Sequence, residues 1–368
     1  MNYILRLITW FVVRYVANIN NYTDKMSNFE KKSKYRKIMR QLVILLLLFA
    51  TCSCHNVSTG EYRSFEGVVW ATTFHITYRS DVQLDDSIRA VMREVEESLS
   101  PFSPTSLVSS INKGSACVAD SMFRRIFNVS MRVNALSGGM FDPTVAPLVN
   151  LWGFGYANGK GRPTPQAVDS ALLAVGMSQC RMVGDTVVKK SPETEFDFSS
   201  ITKGYGCDLI GEMLRRNGCN DYMVEIGGEI ALGGKSPRAD DWHIMIDAPV
   251  ENDTAIVHER MAVMALSDCG IATSGNYRNY RDTESGRVGH TISPVTGHPV
   301  TTNTLSATVV APDAMLADAL ATACMAMPLD SAMSMIEGLP RVEAMLVTAD
   351  GKGGWELHVT SGFPELRR

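Results

Sequence analysis

Tyr222-Met223-Val224-Glu225-Ile226, shortly after Gly218, is the first of six β-rich runs whose reading decides the fold. The others are Trp242 to Ile246, Met261 to Leu266, Leu305 to Val310, Ala344 to Thr348 and Trp355 to Val359. Most are separated by turn residues rather than by helical stretches, and a parallel βαβ sheet needs helical crossovers. The pattern therefore predicts an α+β fold with antiparallel sheet and flanking helices, not a doubly wound nucleotide fold. The helices come earlier in the chain. Leu84, Ile88, Val91, Val95 and Leu99 recur at helical spacing up to Pro101. Met122, Ile126, Val129, Val133 and Leu136 do the same up to Gly138-Gly139. A third helix starts at Thr164-Pro165, a cap followed by proline at the first helical position, and runs to about Val175.

The chain has 368 residues, of which 45% are hydrophobic, enough for a substantial core. Lys and Arg number 35 against 39 Asp and Glu, a net charge of −4 that gives no basis for nucleic-acid binding. Eight cysteines without a CxxC pair support neither a disulfide scaffold nor thiolate zinc or thioredoxin-like chemistry. No repeat or linker divides residues 66–365, which are expected to form one catalytic domain behind a short tether at 55–65. Residues 1–54 concern address. Lys31, Lys32, Lys34, Arg36, Lys37 and Arg40 precede a nine-residue apolar run from Leu42 to Ala50. A bilayer span needs ~20 such residues, so the run is expected to be a signal-peptide core. It ends in Ala50-Thr51-Cys52-Ser53-Cys54, similar to a bacterial lipoprotein attachment site, with Cys54 slightly favoured over Cys52. The expected location is a lipid-anchored protein on the inner membrane facing the periplasm, with translation starting at Met1, Met26 or Met39.

Gly227-Gly228-Glu229 and Gly233-Gly234-Lys235-Ser236 invite a P-loop reading, but Gly228 is one residue out of register, and hairpin turns are the alternative. Asp197-Phe198-Ser199-Ser200-Ile201-Thr202-Lys203-Gly204 reads as a strand end entering a helix that continues through Leu214. A lysine in that first turn can neutralise a phosphate or simply be solvated. Ala272-Thr273-Ser274-Gly275-Asn276-Tyr277 reads as a small-residue loop whose aromatic stacks on a planar ring or joins the core. His290 and His298 flank a loop of turn residues, and such a histidine is a general base only beside a substrate phosphate. Asp318 and Thr322 lie four residues apart on one helical face. They offer two oxygens to a hard cation such as Mg²⁺, or Asp318 merely favours the helix dipole.

Taken in order, Gly139-Met140-Phe141-Asp142-Pro143-Thr144-Val145-Ala146-Pro147, Leu151-Trp152-Gly153-Phe154-Gly155, Ile201-Thr202-Lys203-Gly204, Glu225-Ile226-Gly227-Gly228-Glu229, Ala272 to Tyr277, His290 to Gly297 and Ala317 to Ala323 resemble the ApbE flavin transferase family. The resemblance runs from about Trp70 to Val347 and implies a single T-fold-related domain. It further implies an FAD:protein FMN transferase that uses FAD and Mg²⁺, attaches FMN to a threonine of a target protein and releases AMP. It implies Mg²⁺ binding by the side chains of Asp318 and Thr322 and the backbone carbonyl of Thr202. By the same resemblance Lys203 meets the diphosphate, Asp208 the adenosine end and Phe102 the flavin ring, with His290 the base for the acceptor hydroxyl. The implied FAD contacts also include Asp142, Thr144, Glu225, Gly227, Gly228, Thr273, Ser274, Gly275 and Tyr277. The implied acceptors are flavin-carrying subunits of a sodium-pumping quinone reductase or of the Rnf type. Two departures stand out: Trp70-Ala71-Thr72 replaces the family's Met-Gly-Thr, and Ser293 replaces an acidic residue before Pro294. The rival activities are a Mg²⁺-dependent FAD pyrophosphatase and a non-catalytic flavin-binding lipoprotein.

Overall fold

The computed structural model describes residues 60–157, 163–249, 260–275, 280–283, 286–289 and 291–367, all within one unit, Ser58–Arg368. The amino-terminal segment, Asn276, Tyr277 and His290 lie outside the described residues. The strands are β1 Glu61–Val69, β2 Thr72–Ser80, β3 Cys180–Val183, β4 Thr186–Lys189, β5 Tyr222–Ile226, β6 Glu229–Gly233, β7 Trp242–Asp247, β8 Arg260–Leu266, β9 Gly270–Gly275, β10 Tyr280–Thr283, β11 Gly286–Gly289, β12 Thr304–Ala311, β13 Glu343–Ala349 and β14 Trp355–Val359. The helices are α1 Asp85–Leu99, α2 Leu107–Asn112, α3 Ser121–Leu136, α4 Ala146–Leu151, α5 Pro165–Leu172, α6 Ser199–Arg216, α7 Ala314–Ala326 and α8 Leu329–Glu337.

Eight strands form one sheet in the order β1-β2-β5-β6-β9-β12-β13-β14, with antiparallel pairing throughout. One face of the sheet carries Phe74, Ile76, Val224, Ile226, Ala272 and Leu346 against the buried sides of α1, α3, α6 and α7. The opposite face carries Ile230, Ile271, Val310 and Met345, covered by Trp242, Ile244, Ile246 and Met264 of the β7–β8 ribbon. Alternation along each strand thus feeds two cores, one per face. The expected α+β architecture with antiparallel sheet is the one observed.

Four strands of the large sheet escaped the sequence pattern: β1, β2, β6 and β9. The last is a correction, because Ala272-Thr273-Ser274-Gly275 is the end of a central strand rather than a loop. Its small residues answer to close packing instead of strand propensity. A Cβ added at Gly270 would lie 2.0 Å from the backbone nitrogen of Ala314, and one at Gly204 would lie 2.2 Å from Ala314 O. Bulk at either position would drive α7 away from its neighbours. The third predicted helix is also shorter than expected, ending at Leu172, although Thr164 Oγ1 does accept the Ala167 N–H at 3.2 Å as its cap. The helix from Ser199 through Leu214 and the Gly138-Gly139 stop of α3, at φ 61° and 88°, follow the expectation.

Candidate active site

The site is assembled by two helices and one hairpin. Gly227 and Gly228 form the two-residue turn between β5 and β6 at φ 64° and 100°, a conformation that glycine adopts without a Cβ penalty. Glu225 braces this turn, accepting the Gly228 N–H at 2.6 Å while its other oxygen meets His75 Nδ1 at 2.7 Å. The turn brings Glu229 against the first turns of α6. There Lys203 Nζ donates to Glu229 Oε1 at 2.8 Å. The lysine stem passes over Gly227, where an added Cβ would lie 3.0 Å from Thr72 and 3.3 Å from Lys203 Cδ. A side chain at that position would displace the ammonium.

Helix α7 supplies the second wall. Asp318 is buried and its Oδ2 accepts the Gly204 N–H at 3.1 Å. That donor is the one α-helical geometry assigns to the carbonyl of Ser200, so Asp318 competes for it. One turn further along α7, Thr322 Oγ1 lies 3.5 Å from Ser200 O and 3.4 Å from Ser274 Oγ of β9, both long for hydrogen bonds. The Ser200 carbonyl of α6 thus lies within reach of Thr322. Thr202, whose backbone carbonyl the resemblance assigns to the metal, donates its hydroxyl to Phe198 O at 2.8 Å, a contact of its side chain and not of that carbonyl.

Two buried carboxylates and one lysine share this space. Burial would pull Lys203 down, but Asp318 and Glu229 outweigh it and hold the ammonium above its ordinary range. Burial pushes both carboxyl groups up, more than the Lys203 charge lowers them, and Asp318 adds to the rise of Glu229. Lys203 can balance one of the two when both are ionised, and Glu229 Oε2 is buried with no hydrogen-bond partner among the described residues. The oxygen donors of Asp318, Thr322 and Ser200 fit a hard divalent cation, whose charge would favour the ionised carboxylates. Among the described residues no three His, Cys, Asp or Glu side chains cluster as a metal cage. A Mg²⁺ ion here would rest on one carboxylate, neutral oxygens, water and ligand phosphates, as such ions commonly do.

Other expected residues stand elsewhere. Phe102 is 65% exposed, with Tyr156 edge-on at 6.1 Å, and Tyr156 donates to Glu195 Oε2 at 2.6 Å. Glu195 lies two residues before Asp197, whose Oδ1 accepts the Ser199 N–H at 2.9 Å just ahead of α6. The exposed ring is thereby tied to the start of the helix that carries Lys203. Asp142 and Thr144 brace a loop: Asp142 accepts the N–H groups of Thr144 and Met177 at 2.9 and 2.8 Å, and Thr144 Oγ1 accepts that of Gly176 at 2.7 Å. Thr273 pairs its hydroxyl with Thr308 at 2.9 Å. Strand alternation puts it on the face of Ile271, opposite that of Ser274 and Thr322.

Residues 70–346 match the model of the ApbE family. The chain belongs to the ApbE family. It is 32% identical to an FAD:protein FMN transferase of Vibrio cholerae over 86% of this chain and 95% of the relative. It is 29% identical to one from Haemophilus influenzae over 90% and 98%. Among solved structures, the flavin transferase ApbE from Vibrio cholerae superposes with a TM-score of 0.73 at 31% identity, covering 83% of this chain and 98% of that one. The apo form of the Pseudomonas stutzeri flavinyl transferase ApbE superposes with a TM-score of 0.73 at 28% identity, covering 82% and 95%.

In this ApbE chain both oxygens of Asp208 serve the start of α7, accepting the N–H groups of Ala314 and Met315 at 2.9 and 2.8 Å. Burial, assisted by Asp313, pushes its carboxyl up to about 7. The sign follows from linkage. The folded state holds this proton in a range where the unfolded chain has released it, so stability falls as pH rises from about 4 to about 7. Asp208→Asn is expected to flatten that fall in urea unfolding measured across the range, at some cost to the cap. Equal slopes in both proteins would remove Asp208 as the cause.

Glu229, Ser200, Asp197 and Tyr156 received no role from the sequence. Glu229 stood inside the quoted glycine motif, and Asp197 opened the quoted segment that leads into α6.

Proposed function

We propose that this chain is a Mg²⁺-dependent FAD:protein FMN transferase that joins FMN to a threonine hydroxyl of an acceptor protein through a phosphoester bond and releases AMP. Its family membership supports the class, and the observation that carries the site is the Lys203–Glu229–Asp318 cluster at the start of α6. Lys203 stays charged because two carboxylates face it, so it stabilises charge and does not accept the threonine proton. That proton needs another acceptor, a role we give to His290. The threonine oxygen attacks the FMN phosphorus, the bond from that phosphorus to the bridging oxygen breaks, and AMP leaves with the electron pair next to the Lys203 ammonium. The positive end of the α6 dipole adds to the stabilisation of the same anion. Asp318, Thr322 and the Ser200 carbonyl would hold Mg²⁺, which when bound supplies Lewis-acid charge to the diphosphate. Phe102, held at its edge by Tyr156, offers a ring for the isoalloxazine to stack on.

The test is incubation with FAD, Mg²⁺ and an acceptor subunit of the sodium-pumping quinone reductase or Rnf type, followed by the acceptor's mass. A gain of one FMN with one AMP released supports the reading, and AMP released without acceptor would make the protein a pyrophosphatase. His290→Ala is expected to lower transfer by ~10²–10³ and leave FAD affinity nearly unchanged, because a general base acts in the transition state. Parallel losses in affinity and turnover, by FAD titration and single-turnover assay, would make His290 a binding residue. We further propose a lipid anchor at Cys54 or Cys52 with the catalytic unit in the periplasm, supported by the basic stretch and the apolar run before them. Mass spectrometry of the mature amino-terminus is expected to find a lipidated cysteine at one of these positions, and a mature end upstream of both would refute it.

A further inference from the structure

We propose that the open edge of β14 pairs antiparallel with β14 of a second copy, the two-fold axis passing beside Leu357. Among the described residues β14 is the last strand of the large sheet and bonds to β13 alone. The Thr360 N–H donates to Ala344 O at 3.0 Å, which sets the phase of this ladder. Bonded pairs recur at every second residue, so the backbones of His358 and Glu356 turn inward to Leu346 and Thr348. The N–H and C=O groups of Trp355, Leu357 and Val359 point outward, away from β13. The side chains of these three residues stand on the face of Met345 and Val347 and are 45%, 41% and 45% exposed. An edge with free backbone and a stripe of large apolar side chains is a pairing template unless proline, charge or a bulge blunts it. None of these interrupts that face of β14.

The sequence of the strand names the occupant. Trp355-Glu356-Leu357-His358-Val359 is complementary to itself when reversed. Antiparallel pairing about Leu357 sets Trp355 opposite Val359 of the second copy, Glu356 opposite its His358, and Leu357 opposite Leu357. The outward amides then fall at the bonded pairs, and Glu356 and His358 fall at the non-bonded pairs, where facing side chains approach most closely. Aromatic with β-branched and acid with base are the stabilising cross-strand combinations. His358 is held in place by its Nε2 contact with Thr348 Oγ1 at 2.9 Å. Strands β12 and β13 separate β14 from β9, so this pairing leaves the start of α6 open to substrate.

The test uses the full chain in mild detergent, with protein mass from sedimentation velocity and amide exchange read by mass spectrometry. Wild type is expected to sediment as two chains, with slow exchange across Trp355 to Val359. Leu357→Lys sets like charges on the axis and Glu356→Lys faces a histidine, so each is expected to halve the mass and speed that exchange. The doubly substituted Glu356→Lys/His358→Glu exchanges the charges and is expected to restore two chains. Transferase activity is expected to persist in all of them. A single-chain wild type overturns the proposal, as does a dimer indifferent to these substitutions. So does slow exchange at β14 that appears only when an acceptor protein is added, which would give the edge to a partner strand.

Discussion

Asp318→Asn is expected to lower AMP release by a factor on the order of 10²–10³ at ordinary Mg²⁺ while leaving the folded protein at least as stable as its parent. The two halves of this expectation have one cause. Asparagine keeps the oxygen that accepts the Gly204 N–H, so the contact between α6 and α7 survives. It removes one of two carboxylates that share a single lysine, and burial already holds the Asp318 carboxyl above its ordinary value. The folded state is relieved of a charge it stabilises poorly, and the site loses the only anionic donor among the three proposed for the cation. Thr322→Ala should be milder, because it deletes a neutral oxygen that water can replace. Aspartate as a helix-dipole residue predicts the reverse, a loss of ~0.3–1 kcal/mol with normal turnover. The geometry disfavours that alternative, since Asp313 is the residue that caps α7, accepting the Leu316 N–H at 2.8 Å. AMP chromatography against Mg²⁺ concentration, with urea unfolding of both proteins, separates the two. Wild-type turnover in a folded Asn variant would exclude Asp318 from the site.

The parts of this molecule legible in the sequence are those whose physics is local. Strands β5, β7, β8, β12, β13 and β14 announce themselves through apolar and β-branched residues at short range. Strand β9 does not, because its composition answers to the backbone at the start of α7 lying against it, a demand that no window of neighbouring residues displays. Strand β2, paired with β1, carries an alternation in Phe74, Ile76 and Tyr78, diluted by polar residues on the solvent face. Their turn is harder still, since Trp70 and Ala71 adopt φ 48° and 60° without being glycine, at a cost of about 1–2 kcal/mol each. The site divides in the same way. Asp318 and Thr322 share a helical face and could be paired by spacing alone. Lys203 and Glu229 are 26 residues apart and meet only because the β5–β6 hairpin folds back over α6. Ser200 approaches Thr322 through a backbone atom, which side-chain identity does not advertise. Asp208 stands at a motif position that the resemblance assigns to the adenosine end, and its contacts with the start of α7 are not legible in the sequence; it lines a cavity of about 140 Å³ together with Arg125, Glu212 and Arg215.

Lys203→Met tests whether that hairpin contact organises charge or merely packs. It strips the cation from Glu229 and Asp318 and leaves two carboxyl groups facing each other out of water. Breaking a buried ion pair costs ~3–5 kcal/mol, and the low end applies because 29% of the lysine side chain remains exposed. The loss should depend on pH with a definite sign. Without the lysine, the folded-state values of Glu229 and Asp318 rise further above their unfolded ones, so the variant is least impaired in acid and loses stability as pH rises toward neutrality. The parent, with Lys203 in place, should show a shallower fall. Activity should drop as well, because the charge beside the leaving AMP is gone. A second substitution separates the two losses: Lys203→Met/Glu229→Met replaces the pair with apolar groups of similar length, an exchange that is often neutral for stability. Urea unfolding is expected to recover most of the lost stability in that protein, with AMP release still depressed. A double variant as active as wild type would show that the Lys203 ammonium takes no part in transfer, and one as unstable as Lys203→Met would show that the stem over Gly227, rather than the charge, holds the hairpin in place.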